Sequence, residues 1–305
     1  MADPTGTPVS ELGEFLRSRR AAVSPDDVGV VSYGARRVPG LRREELAQLA
    51  GVSATYYTRL EQGHSVNASE SVIDALARAL RLTDDERVHL HDLARPRPGK
   101  RPRAPRPDTA RAGTRQLIAA MTGVPAVVLG RRSEVLAWNP LGHALLAGHC
   151  DLDAPDRPAD RPNLTRMLFL DPHTRELYRR RPEEAARATA SLRLIAGRYP
   201  DDRELAALVG ELSMKSPEFA ALWSKHPVAH CTSGTKQLRH PEVGELDLDF
   251  EALYLGDEAG HRILTYTAVP GTPSEAALRL LATLCADAAP SRTVQSPVGS
   301  VVGPR

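Results

Sequence analysis

The sequence is poor in several features that stabilise or anchor other chains. It has three cysteines in 305 residues, Cys150, Cys231 and Cys285. Their wide spacing and odd number fit reduced thiols and exclude a disulfide framework. Aromatic residues make up 4% of the chain, so few large rings are available to line a site. No apolar run approaches the ~20 residues that a membrane-spanning helix needs. The N-terminal MADPTGTPVS has neither the charged start nor the apolar stretch of a secretion signal. A cytoplasmic protein without membrane contact is expected. P-loop, G-x-S-x-G and H-E-x-x-H motifs are missing, which leaves no strong catalytic signature and no expected cofactor. Net charge is only +2, so contact with a polyanion would rest on local clusters of positive charge.

What is present centres on LRREELAQLAGVSATYYTRLEQG, residues 41–63. It reads as two short helices joined by a tight turn. Leu46, Ala47 and Ala50 share one face of the first. Gly51 stands where a left-handed residue is needed, and Ser53 supplies the N-cap oxygen of the second helix. Val52 and Tyr57 occupy the positions of a hydrophobic staple, and Gly63 fits a helix stop. A helix-turn-helix of this kind lays its second helix in a DNA major groove. The alternative is an ordinary helical hairpin, disfavoured by small Ala47, turn Gly51, cap Ser53 and the RLEQG ending.

Three further helices complete a five-helix module. Residues 10–23 carry Leu12, Phe15, Leu16 and Arg19 at helical spacing. Val72, Ile73, Leu76 and Leu80 do the same over 69–80, and Thr83 with Glu86 makes a capping box before Leu90 and Leu93. Arg36, Arg37, Arg42 and Arg43 form a basic cluster ahead of the helix-turn-helix, suited to phosphate or simply solvated. Residues 1–94 therefore read as one domain. RPRPGKRPRAPR, within 95–108, reads as an extended basic linker, either an arm on DNA or a spacer.

A second domain is expected over 109–289, followed by a disordered tail at 290–305. A helix at 114–121 precedes two short strands, PAVVLG and EVLAW. Asn139-Pro140, Asn163, Asp171-Pro172, Pro182, Asp201 with Glu204, and Ser216-Pro217 mark helix starts. GELDLDFEALYL alternates as a half-buried strand, HRILTYTAV is a second, and 274–284 is a final helix. Strands, helices and strands again make a mixed α+β domain.

Residues 10–93 resemble the lambda-repressor-like, or XRE-type, helix-turn-helix family. VPGLRREELAQLAGVSATYYTRLEQG, with ELGEFLRSRRAAVSPDDVG before it, is similar to one subgroup, the MmyB-like transcription regulators of actinobacteria. NLTRMLFLDPHTRELY, ASLRLIAGRYPDDRELAALVGELSMKSPEFAALW and TSGTKQLRHPEVGELDLDFEALYL resemble that subgroup's ligand-binding domain. The resemblance implies a PAS-like fold and a small apolar ligand, fatty acids being reported for the family. It also carries one departure: Arg181-Pro182 stands where the family often has Trp-Glu, which puts the pocket's shape or ligand in question.

The start of the second helix of the motif faces base edges in such a module. Those positions are Ala54, Thr55, Thr58 and Arg59, with the cap Ser53 a further DNA-binding candidate. Ala54 and Thr55 offer methyl contact to thymine. Arg59 suits guanine O6 and N7, or else a phosphate or an ion pair with Glu45 or Glu61. Tyr56, Arg42, Arg43 and His64 are backbone-contact candidates. One module buries too little surface for high specificity, so a homodimer on double-stranded DNA, with half-sites about 34 Å apart, is expected.

For the ligand, the large residues available are Trp138, Phe169, Leu192, Phe219, Trp223, Tyr254 and Tyr266, though plain core is the favoured reading of each. Arg193, in an apolar helical stretch, is the candidate for a ligand carboxylate. His230-Cys231 as a thiol nucleophile, and His143, His149, Cys150, Asp151 and Asp153 as a metal cluster, match no motif spacing. The expectation is a ligand-modulated DNA-binding regulator. Its rivals are a regulator whose second domain only dimerises, an enzyme with a DNA-binding appendage, and a helix-turn-helix used for protein contact.

Overall fold

The computed structural model describes residues 10–30, 40–64, 68–95, 108–256 and 260–288. The Arg36-Arg37 pair, residues 96–107 of the expected linker and the expected tail at 290–305 lie outside them. Five α-helices come first: α1 (Glu11–Ala22), α2 (Arg43–Ala50), α3 (Ala54–Glu61), α4 (Glu70–Ala79) and α5 (Asp84–Ala94). Ser10, Ser53, Ser69 and Thr83 cap α1, α3, α4 and α5 through their hydroxyls. Each satisfies an amide that has no partner within its helix. Gly51 turns α2 into α3 at φ +68°, a conformation that a Cβ disfavours. Leu16, Leu46, Tyr57, Leu60, Ile73, Leu76 and Leu90 close one small core.

The second half has α6 (Ala112–Ala120), β1 (Ala126–Leu129), β2 (Val135–Trp138) and α7 (Pro140–Ala147). Then come α8 (Leu164–Leu170), α9 (Pro172–Leu177), α10 (Arg181–Arg198), α11 (Arg203–Lys215) and α12 (Pro217–Trp223). β3 (Ser233–His240), β4 (Gly244–Tyr254), β5 (Arg262–Thr267) and α13 (Pro273–Ala288) complete it. The sheet is antiparallel in order β2-β1-β5-β4-β3. This is the five-stranded α+β, PAS-like arrangement that the resemblance implied, with six α-helices inserted between β2 and β3. Val127 and Leu129 of β1 join the core under α7 and α13, while Ala126 and Val128 join the core under α6. A strand covered on both faces reads as a continuous apolar run. Phe169, Leu192, Leu205, Leu212 and Phe219 form a separate core among the inserted helices.

Three local expectations shift. The cap of α11 is Asp202, whose carboxylate accepts from the Glu204 and Leu205 amides, rather than Asp201. Pro182 is the second residue of α10, not the first. β3 carries one buried apolar side chain, Leu238, so its alternation escaped a hydrophobic pattern; Lys236 and His240 supply the other buried positions. Lys236 is neutralised by Glu184 of α10 and lies 4.4 Å from the Phe250 ring centroid.

The two halves meet along α1, α5 and α10. His89 of α5 is 3% exposed and meets the Phe15 ring edge-on, with centroids 5.0 Å apart. A Cβ on Gly197 of α10 would lie 2.4 Å from the His89 ring, so only glycine permits this approach. Arg19 of α1 donates to the His226 carbonyl, and Val228 packs on the N-terminal core. His230 donates from its backbone amide to Asp85 at 2.7 Å and pairs through its ring at 2.6 Å.

Candidate DNA interface and ligand cleft

On the DNA side, α3 presents Ser53, Thr55 and Arg59 exposed and Ala54, Tyr56 and Thr58 half-buried. Arg59 makes no ion pair among the described residues, which leaves its guanidinium available. The Thr58 hydroxyl donates to the Ala54 carbonyl at 2.8 Å, so it is already engaged within the helix. Arg42 and His64 are exposed. Arg43 instead pairs with Glu61 at 2.9 Å, with 40% of its side chain exposed.

Glu61 is fully buried and is the hub of this surface. It accepts from Arg20 at 3.0 and 3.1 Å and from Arg43, with Arg17 at 3.6 Å. Burial alone would push the Glu61 carboxyl up; the hydrogen bonds from Arg20 and Arg43 outweigh it and hold the group below its ordinary value. Arg20 also donates to the Leu41 carbonyl. The hub thus ties α1, the α2 entry and the end of α3 into one geometry. Sequence reasoning considered Glu61 only as a partner of Arg59. The local sequence gives no sign of its burial, since Arg59, on the other side of Leu60, is exposed.

In the second domain a cleft of about 1250 Å³ opens between α7, α9, the β3–β4 turn and the C-terminal part of α13. Leu145, Leu146, Leu152, Leu177 and Leu284 make apolar walls. Four imidazoles, His143, His149, His173 and His240, and the Arg239 guanidinium also line it, as do Glu176 and Glu242. Three of the imidazoles are fixed by hydrogen bonds: His143 to the Cys150 carbonyl at 2.9 Å, His149 to Asp171 at 2.6 Å and His240 to the Ala144 carbonyl at 3.0 Å. The His173 ring stacks on His149 with centroids 4.6 Å apart. An apolar hollow with a few convergent polar groups is the usual form of a small-molecule site.

Residues 110–281 match the family described as MmyB-like transcription regulator ligand binding domain, and residues 11–90 match a helix-turn-helix domain. The chain belongs to the MmyB-like transcription regulators. No curated protein matches the chain. Both matched families are regulator domains rather than enzymes. Among the described residues, no helix of this MmyB-like regulator is long and apolar enough to cross a membrane.

Most of the aromatic and cationic residues expected at a ligand do not line this cleft of the MmyB-like regulator. Phe219 meets Phe169 edge-on and stacks on Trp223 in the core of the inserted helices. Tyr266 is buried beside Phe250, and Tyr254 is half exposed at the end of β4. Arg193 lies 3.8 Å from the Trp223 ring centroid and donates to the Trp223 carbonyl, at the contact with the DNA-binding domain. Its burial, first, lowers its pKa to about 10, with Glu11 and Glu14 of α1 opposing. Trp138 adjoins the cleft: its ring meets His143 at 4.7 Å and its indole N–H donates to the Leu152 carbonyl at 2.7 Å. Arg181 is held by Glu218, away from the cleft lining. His230 faces Asp85 rather than Cys231, whose thiol is pushed up by burial. With so few aromatics, the large rings go into the core, and the cleft is walled by leucines that composition could not single out.

Proposed function

We propose that this regulator binds a small apolar, fatty-acid-like molecule in the leucine-walled cleft and that occupancy alters its affinity for DNA. The observation that carries the reading is the cleft itself, with leucine walls and with imidazole and guanidinium groups in its lining. An aliphatic chain suits the leucines, and an acidic head suits Arg239 and the imidazoles. The protein acts as a homodimer on a repeated operator, and the ligand favours one dimer geometry over another. Only differential affinity for the two geometries can shift them. Native mass spectrometry of the purified protein, followed by organic extraction, is expected to release an apolar acid; extraction of polar metabolites only contradicts this ligand class.

At the DNA, Ala54, Thr55 and Arg59 read base edges, while Arg42, Arg43, Tyr56 and His64 contact the backbone. Arg59→Ala is expected to weaken binding to a duplex selected from a random pool by about 1–3 kcal/mol and to relax preference at one base pair. Arg42→Ala is expected to weaken all sequences alike and to lower the salt slope by about one. Competition titrations at several salt concentrations separate the two. An Arg59→Ala protein with unchanged affinity and preference supports the reading in which the helix-turn-helix contacts protein.

A further inference from the structure

The seam between the two domains contains groups that neither read DNA nor line the cleft. Arg19, His89, Arg193, Gly197 and the chain from His226 to His230 meet there. It touches α1 and α5 and leaves the outer face of α3 uncovered, so docking and DNA reading are compatible. α1 in turn packs on α3, and its Arg20 grips Glu61 at the end of α3.

The same seam is joined to the cleft along the chain by β3, which ends at cleft-lining Arg239 and His240, and by α9 with α10. α9 contributes His173, Thr174, Glu176 and Leu177 to the cleft lining. After three intervening residues α10 begins, and it runs for 18 residues to the seam. At 1.5 Å per residue it spans about 27 Å as one stiff rod. Arg193 and Gly197, which make the seam contacts, lie in its last turns. Packed elements of this kind shift as rigid bodies rather than deforming continuously.

We propose that α10 is a lever and the His89–Gly197 seam its bearing, so that a displacement of α9 at the cleft is delivered to α5 and α1 and re-aims α3. The lever deepens the ligand-regulated reading and rests on it. By linkage, DNA bound at α3 must also act back on the cleft through the same joint.

Amide hydrogen exchange on the full chain tests the joint. Gly197→Val drives a side chain into His89, and His230→Ala removes the ring half of the clamp on Asp85 from an exposed position. Both variants are expected to exchange roughly tenfold faster in α5 and α1, with the sheet unchanged. Dodecanoate is the cleft probe. In the wild type it is expected to change exchange in α9 and in α5; in the variants the α9 change stays and the α5 change vanishes. Should Gly197→Val also loosen the sheet, His230→Ala decides. Unaltered α5 and α1 exchange in the variants, or a dodecanoate effect that reaches α5 undiminished, overturns the lever. No dodecanoate effect at α9 counts against the ligand reading instead, and the variants' exchange rates then decide whether the seam holds the domains together.

Discussion

Replacing Glu61 with alanine is expected to lower the stability of the DNA-binding domain by about 3–5 kcal/mol, the cost of breaking a buried ion pair from one side. The carboxylate is fully buried and accepts from Arg20 and Arg43. Arg20 is itself largely buried and is left without its charge partner. Domains of this size have about 5–15 kcal/mol in total, so much of the margin disappears. Thermal unfolding followed by circular dichroism measures the change. The pH dependence gives an independent signature. Glu61 in the folded protein is held below its ordinary value near 4.5. Its contribution is therefore fully present above that value and is lost as pH falls through the lower folded value. Glu61→Gln is expected to flatten that acid limb. A Glu61→Ala protein as stable as the wild type contradicts the hub.

Asn139→Ala is expected to cost the ligand-binding domain about 3–5 kcal/mol, since each buried polar group left unsatisfied costs about 1–3 kcal/mol. Asn139 is 3% exposed. Its carbonyl accepts from the Ala126 amide at 3.0 Å and the Gly142 amide at 2.7 Å. Its amide group points at the carbonyls of Ile118, Met121 and Val124 at 3.2, 2.8 and 2.8 Å. One side chain thus ties the end of α6, the start of β1 and the first turn of α7. Asn139→Asp keeps the acceptor but sets a carboxylate oxygen against those three carbonyls in a buried site, so at neutral pH its destabilisation is expected to be at least that of alanine. Denaturant unfolding of both variants orders them; an aspartate variant as stable as the wild type contradicts the role given to the donor side.

Asn139 also shows what local sequence makes visible. Asn-Pro at a helix start is legible because cap and proline act within one turn. So are Gly51, Ser53 and the Thr83–Glu86 box, and with them the helix-turn-helix. The carbonyls that Asn139 also holds come from 15 to 21 positions upstream and leave no local trace. β3 was unread for a related reason. Its inward positions include Lys236 and His240, which only Glu184 and the Ala144 carbonyl make tolerable inside. Glu61 and Arg193 looked like surface or ligand charges because their partners lie in other helices or across the seam. The cleft was illegible because it is a gap, defined by where α7, α9 and α13 fail to meet, and leucines give no sign of facing one.

The central claim is that occupancy of the cleft sets affinity for DNA. The direct measurement is the affinity of the full chain for a selected duplex, with and without dodecanoate, in the wild type and in Leu284→Asp. Leu284 is 39% exposed on the cleft wall, so a carboxylate there spoils the apolar lining without disturbing the core. The account predicts that dodecanoate changes wild-type affinity by about fivefold or more and leaves Leu284→Asp unmoved, with equal ligand-free affinities. Wild-type affinity that does not respond to dodecanoate, or an equal response in Leu284→Asp, contradicts it.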